Sequence, residues 1–139
     1  MASVVYNSYK LDALDANIDL GNDTIKIALV TSAYTPDIDT HSFFDDVTNE
    51  VSGTGYTAGG ETLTVTTSQD NTDDEGVFDA TDVTWAGSTI TARGAVVYKS
   101  TGVAATSPLI CYIDFGSDQT STSGDFTVVF NAEGIINLN

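Results

Sequence analysis

Hydrophobic and polar residues alternate along several stretches of the chain, and alternation of this kind predicts β-strands. The clearest stretch, residues 81–99, contains two alternating runs on either side of Gly87 and Ser88. A glycine-containing pair between two such runs is typical of a two-residue β-hairpin turn. The turn sets the register of the predicted hairpin and collects these apolar side chains on one face: Val83, Trp85, Ile90 and Ala92, with Val96 and Tyr98 further along.

The other face of the predicted hairpin is polar, and the same register places Asp82 directly opposite Arg93. Arg93 is the only arginine of the chain, so the predicted pairing gives it a carboxylate as its cross-strand neighbour. Trp85 is the only tryptophan, and we expect it in the hydrophobic core. The rest of the chain is predicted to be organised around this hairpin.

Further strands are predicted where alternating or short apolar runs lie between turn signals. They are residues 24–30, 62–67, 109–115 and 125–131, with short strands at 17–20 and 135–138. Three groups of side chains are predicted to face inward: Ile25, Ile27 and Leu29; Leu109, Cys111, Ile113 and Phe115; and Phe126, Val128 and Phe130.

Two short helical segments are predicted in the N-terminal half. Residues 4–15 have apolar positions three and four apart, which favours a helix capped by Asn7 or Ser8. An extended arm that reaches a neighbouring subunit is the alternative. Asp39 or Thr40 is predicted to cap one or two helical turns that follow. Four loops are predicted: a glycine-rich one at 51–61, an acidic one at 68–76, one of small residues at 100–108, and a polar connection at 116–124.

The number and spacing of these elements predict a mainly all-β fold. Roughly seven to nine short strands separated by turn signals are typical of an antiparallel β-sandwich or barrel. We predict a single-domain sandwich, jelly-roll-like, with one or two short helices near the N-terminal half. The 21 threonines and 12 glycines agree, because β-branched residues favour strands and glycine favours turns. No internal repeat or linker divides the 139 residues, so we expect one domain spanning 1–139.

The charge of the chain is strongly unbalanced. Four basic residues against 20 acidic ones give a net charge of −16. Such a surface repels phosphate backbones and anionic lipids, so we expect no direct binding of nucleic acid and no membrane partner. No apolar run is long enough to span a bilayer, and residues 1–3 lack the features of a secretion signal, so synthesis in a cytoplasm is expected. The single cysteine, Cys111, is predicted to be a small buried hydrophobe.

Candidate catalytic residues are few. His41 is the only histidine, and Ser42 is merely its sequence neighbour, whereas a hydrolytic triad needs a histidine held against a nucleophile. Asp114 lies in an apolar run, where an outward-facing carboxylate is the simpler interpretation. No motif of a known hydrolase or metalloprotease is present. We therefore predict no catalytic residues and no enzymatic activity.

Two acidic groups and four tyrosines are candidate binding residues. Carboxylate oxygens of residues 70–75 can chelate Ca²⁺, but the segment lacks the glycine of an EF-hand loop. A solvated loop is the simpler interpretation, and we predict no metal and no cofactor. The second acidic group is Asp37, Asp39, Asp45 and Asp46.

Four tyrosines lie outside the predicted strands and can form a sugar-binding platform or pack in the core or in an interface. They are Tyr6, Tyr9, Tyr34 and Tyr56.

Four segments of the chain resemble small virion proteins of tailed bacteriophages. They are 29–36 (L-V-T-S-A-Y-T-P), 78–85 (F-D-A-T-D-V-T-W), 92–99 (A-R-G-A-V-V-Y-K) and 126–135 (F-T-V-V-F-N-A-E-G-I). The resemblance extends over nearly the whole chain, and its motifs are structural and not catalytic.

This resemblance implies a virion structural protein, and a capsid decoration or cement protein agrees best with the size, β-rich composition and acidity. Such a protein binds the outer capsid surface of the virion, between major capsid subunits, after synthesis in the host cytoplasm. The expected partners are the major capsid protein and further copies of the chain in a dimer or trimer. The alternatives are a tail or head–tail junction component and a carbohydrate-binding β-sandwich that acts in adhesion.

Overall fold

The computed structural model describes residues 3–139, and most of them form β-strands. The single α-helix of this part of the chain precedes seven of its eight strands. None of its helices is long and apolar enough to cross a membrane. The elements are β1 Val4–Val5, α1 Asn7–Leu14, β2 Ile25–Val30, β3 Glu61–Thr62, β4 Val65–Asp70, β5 Glu75–Ala80, β6 Val83–Lys99, β7 Leu109–Val128 and β8 Ile136–Leu138, with 3₁₀ turns at Phe44–Asp46 and Ala104–Thr106.

The strands form two antiparallel sheets. One has the order β1-β7-β6-β2-β3, and the other has the order β4-β5-β8. Side chains from both sheets pack into one buried cluster, which we call the main core. The all-β, sandwich-like fold predicted from the alternation is therefore confirmed. The predicted strands at 24–30 and 135–138 correspond to β2 and β8.

The predicted hairpin at Gly87 and Ser88 is wrong, because residues 83–99 form the single long strand β6. The residues on both sides of Gly87 and Ser88 pair with β7, which comes later in the chain. Gly87 has a φ of +60° and lies in a register shift between Trp85 and Ser88, so the pair forms a bulge and not a turn. The Ser88 hydroxyl is buried in this bulge, 2.7 Å from the Ser121 hydroxyl of β7.

The predicted neighbours Asp82 and Arg93 are consequently far apart in the register. The Asp82 carboxylate accepts a hydrogen bond from the Phe130 backbone, whereas Arg93 forms an ion pair with Asp114 of β7. Arg93 thus does have a carboxylate partner, but one that the hairpin register does not identify.

Bulges also change which face of β6 is buried against the main core. The four predicted inward residues from Val83 to Ala92 do pack there, and Trp85 is 2% exposed, as predicted. A further register shift between Ala92 and Gly94 then exchanges the two faces. Val96 and Tyr98 therefore lie on the opposite side of the sheet, in a second buried cluster, and their predicted placement is wrong.

Strand β7 unites two predicted strands and the polar connection predicted between them. It is sharply bent, since the rings of Phe115 and Phe126 are 6.2 Å apart although the two residues are eleven positions apart in the sequence. A straight strand would separate these residues by about 36 Å. The predicted inward residues of both ends pack on the main core except Leu109, which faces the second cluster because of a register shift opposite Tyr98.

The N-terminal helix is confirmed, and the predicted caps are wrong. Tyr6 is the N-cap of α1 and provides no side-chain cap. In the second helical segment, neither Asp39 nor Thr40 begins the turn. The Asp46 carboxylate caps it from inside by accepting hydrogen bonds from the Ser42 and Phe43 backbone N–H groups.

Two other predicted segments differ from the structure. Residues 17–20 form turns instead of a strand, since the Asp19 carboxylate accepts hydrogen bonds from Gly21 and Asn22. The predicted strand 62–67 is divided between the two sheets as β3 and β4. Leu63 still bonds to β2, whereas Thr64 bonds to Thr81, so the chain changes sheets here. The predicted acidic loop shrinks to a tight turn between β4 and β5.

The second buried cluster lies on the outer side of the larger sheet and is rich in tyrosine. We call it the tyrosine cluster. Residues 34–47 fold over it, and the Phe44 ring stacks on Tyr98 with ring centroids 4.1 Å apart. Its buried members are Tyr6, Ala28, Val30, Tyr34, Val96, Tyr98, Leu109 and Tyr112.

Candidate functional site

His41 lies at the edge of the tyrosine cluster and forms a chain of hydrogen bonds with two tyrosines. Its Nδ1 atom is 2.9 Å from the Tyr34 hydroxyl, which is in turn 2.8 Å from the Tyr6 hydroxyl. The Asp37 backbone N–H also donates to Nδ1, at 3.2 Å. Because that N–H can only donate, Nδ1 is the acceptor, and the ring proton of neutral His41 resides on Nε2.

This chain of hydrogen bonds ties residues 34–41 to the body of the protein. Burial raises the pKa of Tyr6 and of Tyr34, so both hydroxyls stay protonated over the physiological range. Ser42 does not bond to His41 through any contact in the described structure. Its backbone N–H donates to Asp46, and its carbonyl accepts from Leu109. The structure therefore does not bring the two residues together as a base and nucleophile.

Asp114 forms an ion pair with Arg93 at the bend of β7. Its Oδ1 atom accepts hydrogen bonds from the Gly116 backbone N–H at 2.9 Å and from Arg93 Nε at 3.0 Å. The Gly116 bond first, and Arg93 second, lower the pKa of Asp114 to about 2. A carboxyl group with so low a pKa is a poor proton donor near neutral pH. The arrangement stabilises the bend.

The turn between β4 and β5 brings three carboxylates together. Oxygen atoms of Asp70, Asp73 and Glu75 lie within 4.8 Å of one another. Two backbone N–H groups of the turn donate to Asp70, and the Asn137 amide donates to Glu75. These three side chains offer part of the six to eight oxygen ligands that Ca²⁺ takes, so a bound ion would need water for the rest. Sequence analysis identifies the right segment, and the structure selects three of its members.

The second acidic group has a structural role instead. The Asp37 carboxylate accepts hydrogen bonds from the backbone N–H groups of Asp39 and Thr40, and these bonds lower its pKa. The backbone bonds from Phe43 and Ser42 lower the pKa of Asp46 in the same way. Each carboxylate therefore stabilises its own turn, and the group does not converge on one point.

The tyrosine platform predicted for sugar binding does not exist as a surface. Tyr6, Tyr9 and Tyr34 are all buried. Tyr56 is partly buried, and its hydroxyl donates to Glu50 at 2.7 Å and accepts from the Leu29 backbone N–H at 2.9 Å. These rings are core and network residues, as the alternative interpretation predicted.

Cys111 is a buried thiol in the main core. It is 3% exposed, and burial raises its pKa to about 12. Since the thiolate is the reactive form, this cysteine is unreactive near neutral pH, and its prediction as a buried hydrophobe is confirmed.

A groove lies on the inner side of the bend in β7. Its volume is about 710 Å³, and its other walls are β1 and residues 129–135. We call it the β7 groove. Its apolar floor includes Phe115, Phe126 and Phe130, and polar side chains such as Gln119 and Asp125 lie at its rim. The sequence does not predict this groove. Gly116 and Gly124, which lie in the bent part of β7, have the pattern of residues at the two ends of a loop.

The surface charge is negative over most of the molecule. Lys99 forms an ion pair with Asp23 at 3.0 Å, and Arg93 pairs with Asp114. Lys10 donates to the neighbouring Asn7. Because the chain has 20 acidic residues and only four basic ones, most carboxylates have no basic side chain to neutralise them. This surface favours a cationic partner.

Comparisons with known proteins identify no relative. No family model matches the chain, and no match is found among curated proteins or among solved structures.

Proposed function

We propose that the chain is a decoration protein of a tailed-bacteriophage head, bound on the outer surface between neighbouring major capsid subunits. The observation that most supports this proposal is the charge of the folded domain. The chain has 20 acidic and four basic residues, and two of the basic ones, Arg93 and Lys99, form ion pairs within the domain. Such a surface suits a basic patch on a protein lattice and is repelled by packaged DNA.

The hydrogen bonds that polar side chains form within the domain also support a structural role. His41, Asp37, Asp46 and Asp114 all bond to neighbouring turns and strands. These contacts hold loops in place and leave no assembled pair of nucleophile and base at any of the candidate positions. The resemblance of four segments to small virion proteins points in the same direction.

A lattice role does not require one strong site. Many copies, each bound weakly to a symmetric shell, stabilise that shell because every copy links subunits that would otherwise separate. Association of the chain as a dimer or trimer would increase this effect, because each bound unit would then contact several capsid subunits.

The test is co-sedimentation of the purified chain with capsids that lack it. We expect saturable binding on the order of hundreds of copies per particle, binding that weakens as salt rises, and capsids that survive a higher temperature. About six or twelve copies would instead indicate a tail or head–tail junction component, because those structures are rings. Absence of binding to intact capsids would overturn the proposal.

A glycan-binding adhesion role is the remaining alternative, and burial of three of the four tyrosines removes its main structural support. A glycan array with the purified chain tests it directly. Saturable binding to a defined glycan, together with no capsid binding, would replace the proposed function.

A further inference from the structure

Strand β7 has an outer edge that no other strand covers over most of its length. On its inner edge β7 pairs with β6 along the whole ribbon. On its outer edge it pairs with β1 only at Cys111 and Tyr112. Within residues 3–139, the sheet order places no strand beyond β7 next to residues 119–128. An open edge of this kind presents unpaired N–H and C=O groups that can accept an additional strand.

The β7 groove runs beside this open edge and supplies an apolar floor. Phe126 and Val128 are buried from one side by the main core and line the groove on the other. Phe130 and Ile135, from the segment that follows β7, complete the floor and are only partly buried. Val129 at the wall is 71% exposed. A strand added here would have pockets for alternate side chains as well as backbone partners.

The charge around the groove determines which strand it suits. Asp114 and Asp125 line the groove, and none of its lining residues within 3–139 is a lysine or an arginine. Asp114 is already bonded to Arg93, so the exposed Asp125 carries the uncompensated charge at the rim. A second copy of this chain, with its own charge of −16, is a poor occupant. An extended segment with lysine or arginine at alternate positions is complementary both to the rim and to the floor.

We propose that the β7 groove binds an extended, basic segment of a partner protein, which adds a strand to the outer edge of β7 at residues 119–128. Alternate apolar side chains of that segment contact Phe126 and Phe130, and its basic side chains face Asp125. This inference takes from the proposed function only that the chain has a protein partner. It adds where and how that partner is held.

The probe is a synthetic nine-residue peptide in which lysine and valine alternate, with both ends blocked. Two matched peptides serve as controls: one has glutamate in place of lysine, and one has N-methylated alternate residues that cannot form strand hydrogen bonds. Binding is measured by NMR titration of the full chain, with hydrogen exchange of its amides. We expect the lysine peptide to bind at least about tenfold more tightly than either control. We also expect it to protect amides within residues 119–128.

Two variants locate the site, and a third controls for charge. Asp125→Lys reverses the charge at the rim, and Val129→Lys places a cation on the exposed wall without disturbing the core. Each is expected to weaken peptide binding by about tenfold. Asp45→Lys changes an exposed carboxylate of the Phe44–Asp46 turn by the same charge and should leave binding nearly unchanged. Their circular dichroism spectra verify that all three variants are folded.

Several results would overturn the inference. Equal weakening by Asp125→Lys and Asp45→Lys would mean general attraction to an acidic surface. Protection of amides elsewhere would place the peptide at another site. Protection of residues 119–128 that rises with protein concentration, without peptide, would make a second copy the occupant.

Capsid co-sedimentation separates this inference from the proposed function. If Asp125→Lys and Val129→Lys bind capsids as well as the unmodified chain does, the groove is not the docking site, although the decoration role stands. If the peptide binds as expected and capsids do not, the groove inference stands and the decoration role fails.

Discussion

The two halves of β6 are parts of one strand, yet they are buried in different ways. Along residues 83–92, exposed and buried side chains largely alternate, and Trp85 points into the main core. From Ala95 to Tyr98, every side chain is buried, because the main core covers one face and the tyrosine cluster covers the other. This difference shows that whether a strand is buried on one face or on both depends on what packs against the face that does not contact the main core.

The tyrosine cluster, which covers the outer face of the second half, is also more polar than the main core that packs on the first half. The tyrosine cluster contains hydroxyl groups that bond to one another and to His41. Its stability therefore depends on completed hydrogen bonds as well as on apolar area, whereas the main core around Trp85 depends mostly on packing. Four substitutions test this contrast, and they are given from the largest expected effect to the smallest.

Trp85→Ala tests the packing of the first half. The Trp85 ring lies 5.9 Å from Tyr56 and 6.2 Å from Phe126, centroid to centroid, so its removal leaves a large cavity. We expect the free energy of unfolding to fall by roughly 3–5 kcal/mol, measured by urea denaturation. Thr84→Ala, at the exposed neighbouring position, should cost less than about 1 kcal/mol. Similar losses for both variants would contradict the one-sided burial of this half.

Gly94→Ala tests the junction between the two halves. A Cβ atom at Gly94 would lie 2.5 Å from the Tyr112 hydroxyl and 2.6 Å from the Ile113 carbonyl oxygen. Because a backbone atom cannot easily move away, we expect a loss of about 1–3 kcal/mol in the same measurement. Gly76→Ala in β5, where an added Cβ meets nothing within 4 Å, is the matched control and should show no such loss. A stable Gly94→Ala variant would mean that the junction is loosely packed.

Tyr6→Phe tests the hydrogen bonds that cover the second half. The substitution removes the hydroxyl bonded to Tyr34 at 2.8 Å and keeps the ring. We expect a loss of about 1 kcal/mol. A double-mutant cycle with Tyr34→Phe should give a coupling energy of at least about 0.5 kcal/mol, because the two hydroxyls share one bond. A coupling energy of zero would mean that the cluster is held by packing alone.

Asp114→Asn tests the ion pair at the bend, and its effect depends on pH. The folded-state pKa of about 2 lies below the value of about 3.9 expected in the unfolded chain. Asp114 therefore stabilises the fold above about pH 4, and this contribution is lost as the pH falls towards 2. We expect the variant to have a lower Tm at pH 7 and a smaller fall in Tm between pH 4 and pH 2.

Asp45→Asn is the control for this pH dependence, because Asp45 is an exposed carboxylate of a turn. Asp45→Asn should show the same fall in Tm between pH 4 and pH 2 as the unmodified chain. If Asp114→Asn shows the same fall as the unmodified chain, the ion pair does not contribute to the acid sensitivity of the fold.

The sequence predicts the fold class and much of the core, because strand alternation is a local signal. Local signals were sufficient for several features, each of which depends on residues close together in the chain: the inward faces of β2 and of the first half of β6, the burial of Trp85, and the N-terminal helix. The pairing of β6 with β7 depends instead on residues that are distant in the sequence. Gly87 and Ser88 have the composition of a hairpin turn, and only the distant Ser121 of β7 shows that they form a bulge.

The same limit applies to the candidate site. The acidic turn at residues 70–75 is recognisable from its composition, since its carboxylates are neighbours in sequence. The β7 groove is not, because it depends on a bend that brings Phe115 to Phe126 and on walls from both ends of the chain. The ion pair of Arg93 was likewise assigned to the wrong carboxylate, since register shifts in β6 cannot be derived from alternation.

The pairing of β1 with β7 also constrains how the chain is made. Val4 is synthesised 108 residues before its partner, Tyr112. At a synthesis rate of about 5–20 residues per second, Val4 waits roughly 5–20 s for that partner. Until then the inner strands β6 and β7 cannot form their ribbon either. The larger sheet therefore cannot be completed before β7 has been synthesised, and β1 is expected to join it last.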